Sequence, residues 1–247
     1  MLGLGLGLAD VAVSGARFDP ALLFAGGAAG AWYDPADLSS MAQNADGTGP
    51  AAVGLPVGRI ADKSGNGNHA VQGAPAARPV LRADSGGRFY LEFDGTDDEL
   101  RAAFACSQPF DRISAIRQIS ATTNDRIFGA AGNGNSALFQ ATPPTIQFLN
   151  NGVFGPASVL AIGTNGVVTE KWAGAASRIA VDNNGYVSGD AGPGNPDGIS
   201  LGSAGGAIGA RFGHIRLYGI VMIGRALSDA ETARLRRFMA ARAGVAL

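Results

Sequence analysis

Short apolar segments alternate with polar, turn-forming clusters along most of this chain, from about residue 30 to about residue 225. Within the segments, hydrophobic and polar residues tend to alternate, as they do in a strand that buries one face. Representative segments are residues 58–61, 89–93, 113–119, 145–149, 177–181 and 212–223. The connections are too short for crossover helices, so neighbouring strands should pair in antiparallel fashion. The pattern predicts an all-β, antiparallel sandwich or barrel.

The clusters between the predicted strands carry the chemistry of tight turns. Asn-Gly and Asp-Gly pairs supply the positive φ angles that two-residue hairpins require. Such pairs occur at Asn66-Gly67, Asp94-Gly95, Asn150-Asn151-Gly152, Asn165-Gly166 and Asn183-Asn184-Gly185. We therefore predict a turn at each of these positions, including a hairpin in which residues 178–181 and 186–187 flank the last one.

The C-terminal end departs from this pattern and predicts a helix. Ser228 and Glu231 have the spacing of a capping box, in which each side chain accepts a hydrogen bond from the other residue's backbone amide. An apolar stripe at helical spacing follows, formed by Leu235, Phe238 and Met239. The sequence predicts a helix over residues 228–243, with its arginines on a solvated face.

The N-terminal end predicts a short helix preceded by an assembly arm. Asp19 is a suitable N-cap before Pro20, so a short helix should follow it. Further upstream, leucine alternates with glycine, and in an extended chain these leucines would share one face that needs burial: Leu2, Leu4, Leu6 and Leu8. Asp10 interrupts this run well short of a membrane span. We predict an arm over residues 1–29 that docks on other proteins, and one domain over residues 30–247.

Composition narrows the function classes. The chain has 247 residues, of which 46% are hydrophobic and only 16% charged, which argues for a folded protein. A net charge of −1, from 19 basic and 20 acidic residues, argues against a nucleic-acid partner. One cysteine and two histidines exclude an internal disulfide, a cysteine-based zinc site and a three-histidine metal centre.

Four blocks of sequence occur in a suggestive order. They are Ala-Trp-Tyr-Asp-Pro-Ala-Asp-Leu (31–38), Asp-Lys-Ser-Gly-Asn-Gly-Asn-His (62–69), Leu-Glu-Phe-Asp-Gly-Thr-Asp-Asp (91–98) and Gly-Arg-Ala-Leu-Ser-Asp-Ala-Glu (224–231). Together they resemble the concanavalin A-like (laminin G/pentraxin-type) jelly-roll domains of bacteriophage, prophage and gene transfer agent virion proteins. The similarity covers about residues 30–243.

The resemblance implies that the fold is an all-β, antiparallel jelly-roll β-sandwich, and it implies a role as well. It implies an oligomeric spike or fibre subunit on the virion surface that binds bacterial surface or capsular polysaccharide without cleaving it. Because this fold also serves structural modules, a decoration or adaptor protein is an alternative. On this interpretation the partners are other virion proteins, further copies of the chain and a glycan.

A second alternative is a glycosidase. Laminarinase-type glycosidases of the same fold carry Glu-x-Asp-x-x-Glu, and here Glu92, Asp94 and Asp97 form Glu-x-Asp-x-x-Asp. A retaining enzyme needs two carboxyl groups about 5–5.5 Å apart. Gly95 ends the predicted strand before the third acid, which argues against that alignment. We therefore predict no catalytic residues and a protein that is not an enzyme.

The same block is the candidate metal site. Three carboxylates lie within five residues, at Asp94, Asp97 and Asp98. Calcium takes six to eight oxygen ligands, and some pentraxin-type relatives bind it. The sequence predicts no cofactor other than such a calcium ion.

Candidate sugar-binding residues are few, because the chain has only two Trp and four Tyr. An aromatic ring can stack on the apolar face of a sugar, and amides can bond its hydroxyls. Trp172 and Tyr186 are the aromatic candidates, and Asn183 and Asn184 in the neighbouring turn are the amide candidates.

Overall fold

The computed structural model describes residues 18–206 and 211–247, which form two antiparallel sheets and a C-terminal helix. In chain order the strands are β1 (Gly30–Tyr33), β2 (Met41–Ala42), β3 (Arg59–Ile60), β4 (Ala70–Val71), β5 (Val80–Ala83), β6 (Phe89–Asp94), β7 (Leu100–Ala103), β8 (Phe110–Gln118), β9 (Arg126–Gly129), β10 (Ala137–Gln140), β11 (Thr145–Asn150), β12 (Val153–Val159), β13 (Asn165–Trp172), β14 (Ser177–Val181), β15 (Val187–Gly189), β16 (Gly198–Leu201) and β17 (His214–Ile223). Helix α1 covers Asp229–Ala243, and 3-10 helices cover Pro20–Phe24, Leu38–Ser40, Pro75–Ala77 and Gly174–Ala176.

In both sheets, many neighbouring strands are far apart in the sequence. Sheet I has the order β15-β14-β13-β8-β17-β6-β5, and β1 pairs with the second half of β17. Sheet II has the order β12-β11-β10-β9-β16-β7-β4-β3-β2. Every pairing between named strands in the described part of the chain is antiparallel. The predicted antiparallel sandwich is therefore confirmed.

Alternation along the strands builds two apolar layers. Leu91 and Phe93 of β6 point between the sheets, where they join a core drawn from both. The residues of sheet I that point the other way form a second layer beneath α1, with Ile113 of β8 and Leu235 of the helix fully buried. One face of sheet I thus meets sheet II, and α1 covers part of the other face.

The predicted C-terminal helix is confirmed. The Ser228 hydroxyl accepts from the Glu231 amide at 3.3 Å, and the Glu231 carboxylate accepts from the Ser228 amide at 2.8 Å. Gly244 ends the helix with a φ of 66°, the left-handed conformation that glycine adopts without strain. The stripe of Leu235 and Met239 is buried against sheet I.

The N-terminal helix also forms, as the 3-10 helix Pro20–Phe24, and the Asp19 carboxylate caps it at the Ala21 amide. Leu23 and Phe24 are buried in the layer under α1. The predicted arm residues Leu2, Leu4, Leu6 and Leu8 lie outside the described residues.

One predicted turn is wrong. Asn165 and Gly166 are not in a turn but begin β13, and the chain reverses just before them, where the Thr164 amide donates to the Ala161 carbonyl. Gly166 has a packing role instead, because a Cβ atom there would lie 2.5 Å from Leu160 Cδ1. An Asn-Gly pair can therefore mark a close approach as well as a reversal.

The block at residues 62–69 has an architectural role. The Asp62 carboxylate accepts from the backbone amides of Trp32 at 2.9 Å and Asn68 at 3.0 Å, which ties the loop to β1. The Asp62 amide donates to His69 Nδ1 at 3.0 Å, and the Tyr33 hydroxyl donates to the Asn68 carbonyl at 2.6 Å. His69 is thus part of the loop's hydrogen-bond network.

Candidate functional site

A row of polar side chains crosses four neighbouring strands of sheet I. Lys171 of β13 lies opposite Asp111 of β8 on one side and Arg178 of β14 on the other, and Arg178 lies opposite Ser188 of β15. Cross-strand partners in register project from the same face of a sheet, so these four side chains form one line. The line runs from beneath the start of α1, where Asp111 and Lys171 are buried, to the sheet edge, where Ser188 is exposed.

The buried half of this row is an ion pair held by the segment that leads into α1. Lys171 Nζ donates to Asp111 Oδ2 at 2.5 Å, to the Leu227 carbonyl at 3.3 Å and to the Thr232 hydroxyl at 3.1 Å. The Leu227 amide donates to Asp111 Oδ2 at 3.0 Å. Burial raises the pKa of Asp111 above its ordinary value, while the bond from Lys171 acts in the opposite direction. The pair therefore anchors the helix to the sheet.

The exposed half of the row contains Arg178, a cation without an ion-pair partner among the described residues. The Arg178 guanidinium lies 4.4 Å from the centroid of the Tyr186 ring, and among the described residues it makes no ion pair. Such stacking orients the guanidinium while its edge N–H groups stay available as donors. Ser188 adds a hydroxyl next to it.

A concave pocket of about 450 Å³ lies over this row. Its polar lining comes from Asp111, Lys171, Arg178 and Ser188, and its apolar lining includes Pro109, Ala173, Ala176 and Leu227. This volume falls within the usual range of small-molecule sites, about 300–1,000 Å³. Donors and acceptors beside a small apolar surface suit a ligand that carries hydroxyl groups.

The prediction that Trp172 stacks on a sugar is wrong. Its side chain is fully buried and lies between Phe148, at a centroid distance of 4.0 Å, and Phe110, at 5.5 Å, both nearly parallel to it. Its indole N–H donates to Glu170 Oε2 at 3.2 Å. The ring is thus an element of the core and leaves no face for a ligand.

The other predicted sugar-binding residues lie in the β14–β15 turn. Tyr186 is half-buried and stacks on Arg178, but it is not one of the residues that line the pocket. Asn183 and Asn184 are exposed, and Asn183 lines a separate shallow pocket beside Arg236 of α1. The structure brings Tyr186 to the polar row and puts Asn183 on another surface.

The three acids at the end of β6 do come together. Ligand oxygens of Asp94, Asp97 and Asp98 all lie within 4.8 Å of one another. Asp98 is buried and accepts from the Asp94 amide at 3.0 Å, while Asp94 Oδ1 accepts from the Thr96 amide at 2.7 Å. Burial raises the pKa of Asp98 to about 6. These carboxylates could bind a metal, although part of their hydrogen-bonding capacity already organises the turn.

The acid pair of the glycosidase alternative has a different environment. Glu92 lies within β6 and forms ion pairs with Arg82 at 3.4 Å and Arg216 at 3.2 Å. Asp97 lies in the loop beyond Gly95, as the sequence predicts. Two arginines thus form ion pairs with Glu92, the carboxylate that would act as the nucleophile.

A second concavity, of about 640 Å³, lies where the N-terminal 3-10 helix meets α1. Phe18, Leu22 and Phe238 give it an apolar surface, and Leu22 is 70% exposed. No helix in the described part of the chain is both long and apolar enough to span a membrane.

The sequence analysis missed Asp111, Lys171, Arg178 and Ser188. The available signal was the presence of charged residues next to large apolar ones, as in Phe110-Asp111-Arg112-Ile113 and Glu170-Lys171-Trp172. Charges rarely sit inside strands that are covered on both faces unless they are paired or functional.

Comparison with known proteins defines the class as a β-sandwich. No protein-family model and no curated protein matches the chain by sequence. Among solved structures, the chain is similar to Trypanosoma rangeli sialidase in complex with sialic acid, with a TM-score of 0.55, 15% identity, and coverage of 87% of this chain and 33% of the sialidase. The chain thus spans about a third of the sialidases that it matches.

Two further structures share the architecture. Domain 4 of the GH43 extracellular arabinanase from Geobacillus stearothermophilus, in complex with arabinotriose, has a TM-score of 0.56 at 13% identity, with coverage of 85% of this chain and 98% of that domain. The receptor-binding domain of botulinum neurotoxin type G has a TM-score of 0.50 at 13% identity, with coverage of 73% and 49%. At these identities the likeness establishes the fold alone.

Proposed function

We propose that this chain is a carbohydrate-binding β-sandwich that binds a bacterial surface polysaccharide without cleaving it. The polar row at Asp111, Lys171, Arg178 and Ser188 carries the proposal, because it lines a pocket with donors, acceptors and a small apolar surface. Two of the similar structures were solved with a sugar bound, sialic acid in one and arabinotriose in the other, which supports the ligand class.

The direct test is retention on immobilised polysaccharide. The full chain should bind at least one capsular or cell-wall polysaccharide, and the ligand's chain length should stay unchanged after prolonged incubation. Chain shortening would instead support the glycosidase alternative, and its loss in Glu92→Gln would then identify Glu92 as a catalytic carboxylate. An absence of binding to glycan arrays and to whole cells would favour a structural decoration or adaptor protein.

We further propose that the chain is a spike or fibre subunit on the surface of a phage-like particle. The four sequence blocks shared with virion jelly-roll domains support this. The leucines of the arm would dock on other virion proteins or on further copies of the chain, and the apolar surface at Phe18 and Leu22 lies where residues 1–17 join the domain. Deleting residues 1–17 should leave a folded, monomeric domain that no longer assembles.

Calcium binding at Asp94, Asp97 and Asp98 is a separate proposal. The closeness of three carboxylates supports it, and loop amides and water would have to complete the ligand set. Titration calorimetry with calcium at neutral pH should give heat that Asp97→Asn removes. No heat and an unchanged melting temperature would contradict the proposal.

A further inference from the structure

The charge balance of the pocket restricts the kind of sugar that fits it. Lys171 forms an ion pair with Asp111 at 2.5 Å, whereas Arg178 has no acidic group within ion-pair distance among the described residues. The four polar residues of the row therefore carry one net positive charge, located at Arg178. A ligand that supplies one negative charge at this position would complete the ion pairing.

The geometry of Arg178 is suited to a planar anion. Its guanidinium stacks at 4.4 Å on Tyr186, which restrains the plane of the fork, and arginine binds carboxylates through two parallel N–H···O bonds. Ser188 lies beside it in register, where its hydroxyl can bond a neighbouring ring hydroxyl. Together, Arg178 and Ser188 favour a ligand that carries hydroxyl groups beside its carboxylate over a ligand that has a carboxylate alone.

The rest of the pocket complements a sugar ring. Asp111 Oδ2 accepts from Lys171 Nζ and from the Leu227 amide, so Oδ1 is the oxygen that can accept from a ligand hydroxyl. Pro109, Ala176 and Leu227 present carbon atoms to the apolar face of a ring. Asp111 and Arg178 lie on strands separated by β13, so a hydroxyl and a carboxylate of one ring can be bound at opposite sides.

We propose that the pocket over Asp111, Lys171, Arg178 and Ser188 selects sugars that carry a carboxylate, such as the hexuronic acid residues of an acidic polysaccharide. Arg178 binds the carboxylate, and Asp111 and Ser188 bind ring hydroxyls. The inference rests on the proposed carbohydrate-binding function and specifies its ligand class.

The test compares uronate-containing bacterial capsular polysaccharides with the same polymers after their carboxyl groups are reduced to alcohols. Neutral capsular polysaccharides complete the panel. Because hydrogen bonds to charged groups contribute more than neutral ones, we expect carboxyl reduction to weaken binding by about tenfold. Arg178→Gln should cause a similar loss, and Arg178→Lys a smaller one of about threefold, since lysine keeps the charge without the fork.

Arg234→Gln is the matched control. Arg234 is an exposed arginine of α1 outside this pocket, with no ion pair among the described residues, so its variant has the same charge change. Its affinity for the acidic polymers should equal that of the unaltered protein. An equal loss in both variants would indicate a general charge effect and would overturn the assignment to this pocket.

The remaining outcomes separate this inference from the function on which it rests. Equal binding before and after carboxyl reduction, or binding to neutral polymers alone, overturns the acidic ligand class and leaves carbohydrate binding intact. Acid-dependent binding that Arg178→Gln does not change overturns the site. Failure to bind any polymer of the panel, acidic or neutral, overturns both proposals together.

Discussion

Two ion pairs join the same two strands one residue apart, and they face opposite sides of sheet I. Arg112 of β8 lies opposite Glu170 of β13 and points between the sheets, whereas Asp111 and Lys171 point towards α1 and the pocket. The inner pair has side-chain exposures of 1% and 0%, and the outer pair has 2% and 8%. The two ion pairs are therefore almost equally buried, but the groups that surround them differ greatly.

The inner pair is closed on all sides. Arg112 donates to both carboxylate oxygens of Glu170, at 2.9 Å and 2.6 Å, and to the Ser136 carbonyl at 3.1 Å. Trp172 completes the site through its bond to Glu170. The outer pair instead lies at the edge of a pocket, with Arg178 and Ser188 as open neighbours. Only the outer pair can therefore exchange a protein partner for a ligand.

The largest effect is expected from breaking the inner pair. Glu170→Gln leaves the Arg112 charge buried without a counter-charge, which typically destabilises a protein by about 3–5 kcal/mol. Urea denaturation should show this loss in the free energy of unfolding. The double variant Arg112→Met with Glu170→Gln should recover part of it, because the uncompensated charge is gone. A single-variant loss below about 1 kcal/mol would contradict the distinction between the pairs.

A smaller loss is expected at the outer pair. Asp111→Asn removes the counter-charge of Lys171 but leaves its bonds to the Leu227 carbonyl and the Thr232 hydroxyl, and the pocket admits water. We expect a loss of about 1–2 kcal/mol, in the range of one hydrogen bond to a charged group. The same denaturation experiment measures it. A loss equal to that of Glu170→Gln would show that the pocket does not hydrate Lys171.

Asp98 extends the comparison to a buried acid that has no cation bonded to it among the described residues. Its pKa is raised to about 6 by burial, so between pH 4 and pH 6 the folded state binds more protons than the unfolded state. This group therefore makes the protein more stable as the pH falls from 7 towards 4. Asp98→Asn should remove that dependence and raise stability at pH 7 by about 1 kcal/mol, a value reduced for solvent screening near the surface.

The measurement is the difference in melting temperature between Asp98→Asn and the unaltered protein across this pH range. That difference isolates Asp98 from other acids, such as Glu231, whose pKa is lowered to about 2, mainly by Arg225. The melting temperatures of Asp98→Asn and of the unaltered protein should converge at low pH. Parallel curves would contradict the assigned protonation.

The smallest effect on stability is expected at Arg178. It makes no side-chain hydrogen bond among the described residues, and its main contact is the Tyr186 ring. Arg178→Gln should change the free energy of unfolding by less than about 0.5 kcal/mol. Thermal melting checks this, and a larger loss would mean that Arg178 has a structural role.

Much of the fold could be predicted from the sequence because it depends on local signals. The turn at Asn183-Asn184-Gly185 and the capping box at Ser228 and Glu231 act within a few residues of themselves. The wrong prediction of a turn at Asn165-Gly166 also comes from a purely local signal. Locally the pair is typical of a turn, but the contact with Leu160 that requires glycine is not visible in its own sequence.

The candidate site could not be predicted because its residues meet only through register. Asp111 and Lys171 are 60 residues apart, and only the pairing of β8 with β13 brings them together. In Glu170-Lys171-Trp172 neither face is purely apolar, since Glu170 and Trp172 share the inner side. Apolar alternation therefore could not show that Lys171 points towards α1 while the Trp172 ring lies in the core.

The contact between Lys171 and the start of α1 couples the C-terminal helix to the pocket. Leu227 both lines the pocket and binds the ion pair beneath it, and Thr232 binds the same ammonium group. By thermodynamic reciprocity, anything that separates α1 from sheet I must weaken ligand binding in the pocket. A ligand bound there must in turn stabilise the packing of α1 on the sheet. In a protein loaded mechanically through its C-terminal end, the proposed binding of a glycan would thus depend on the tension transmitted along the helix.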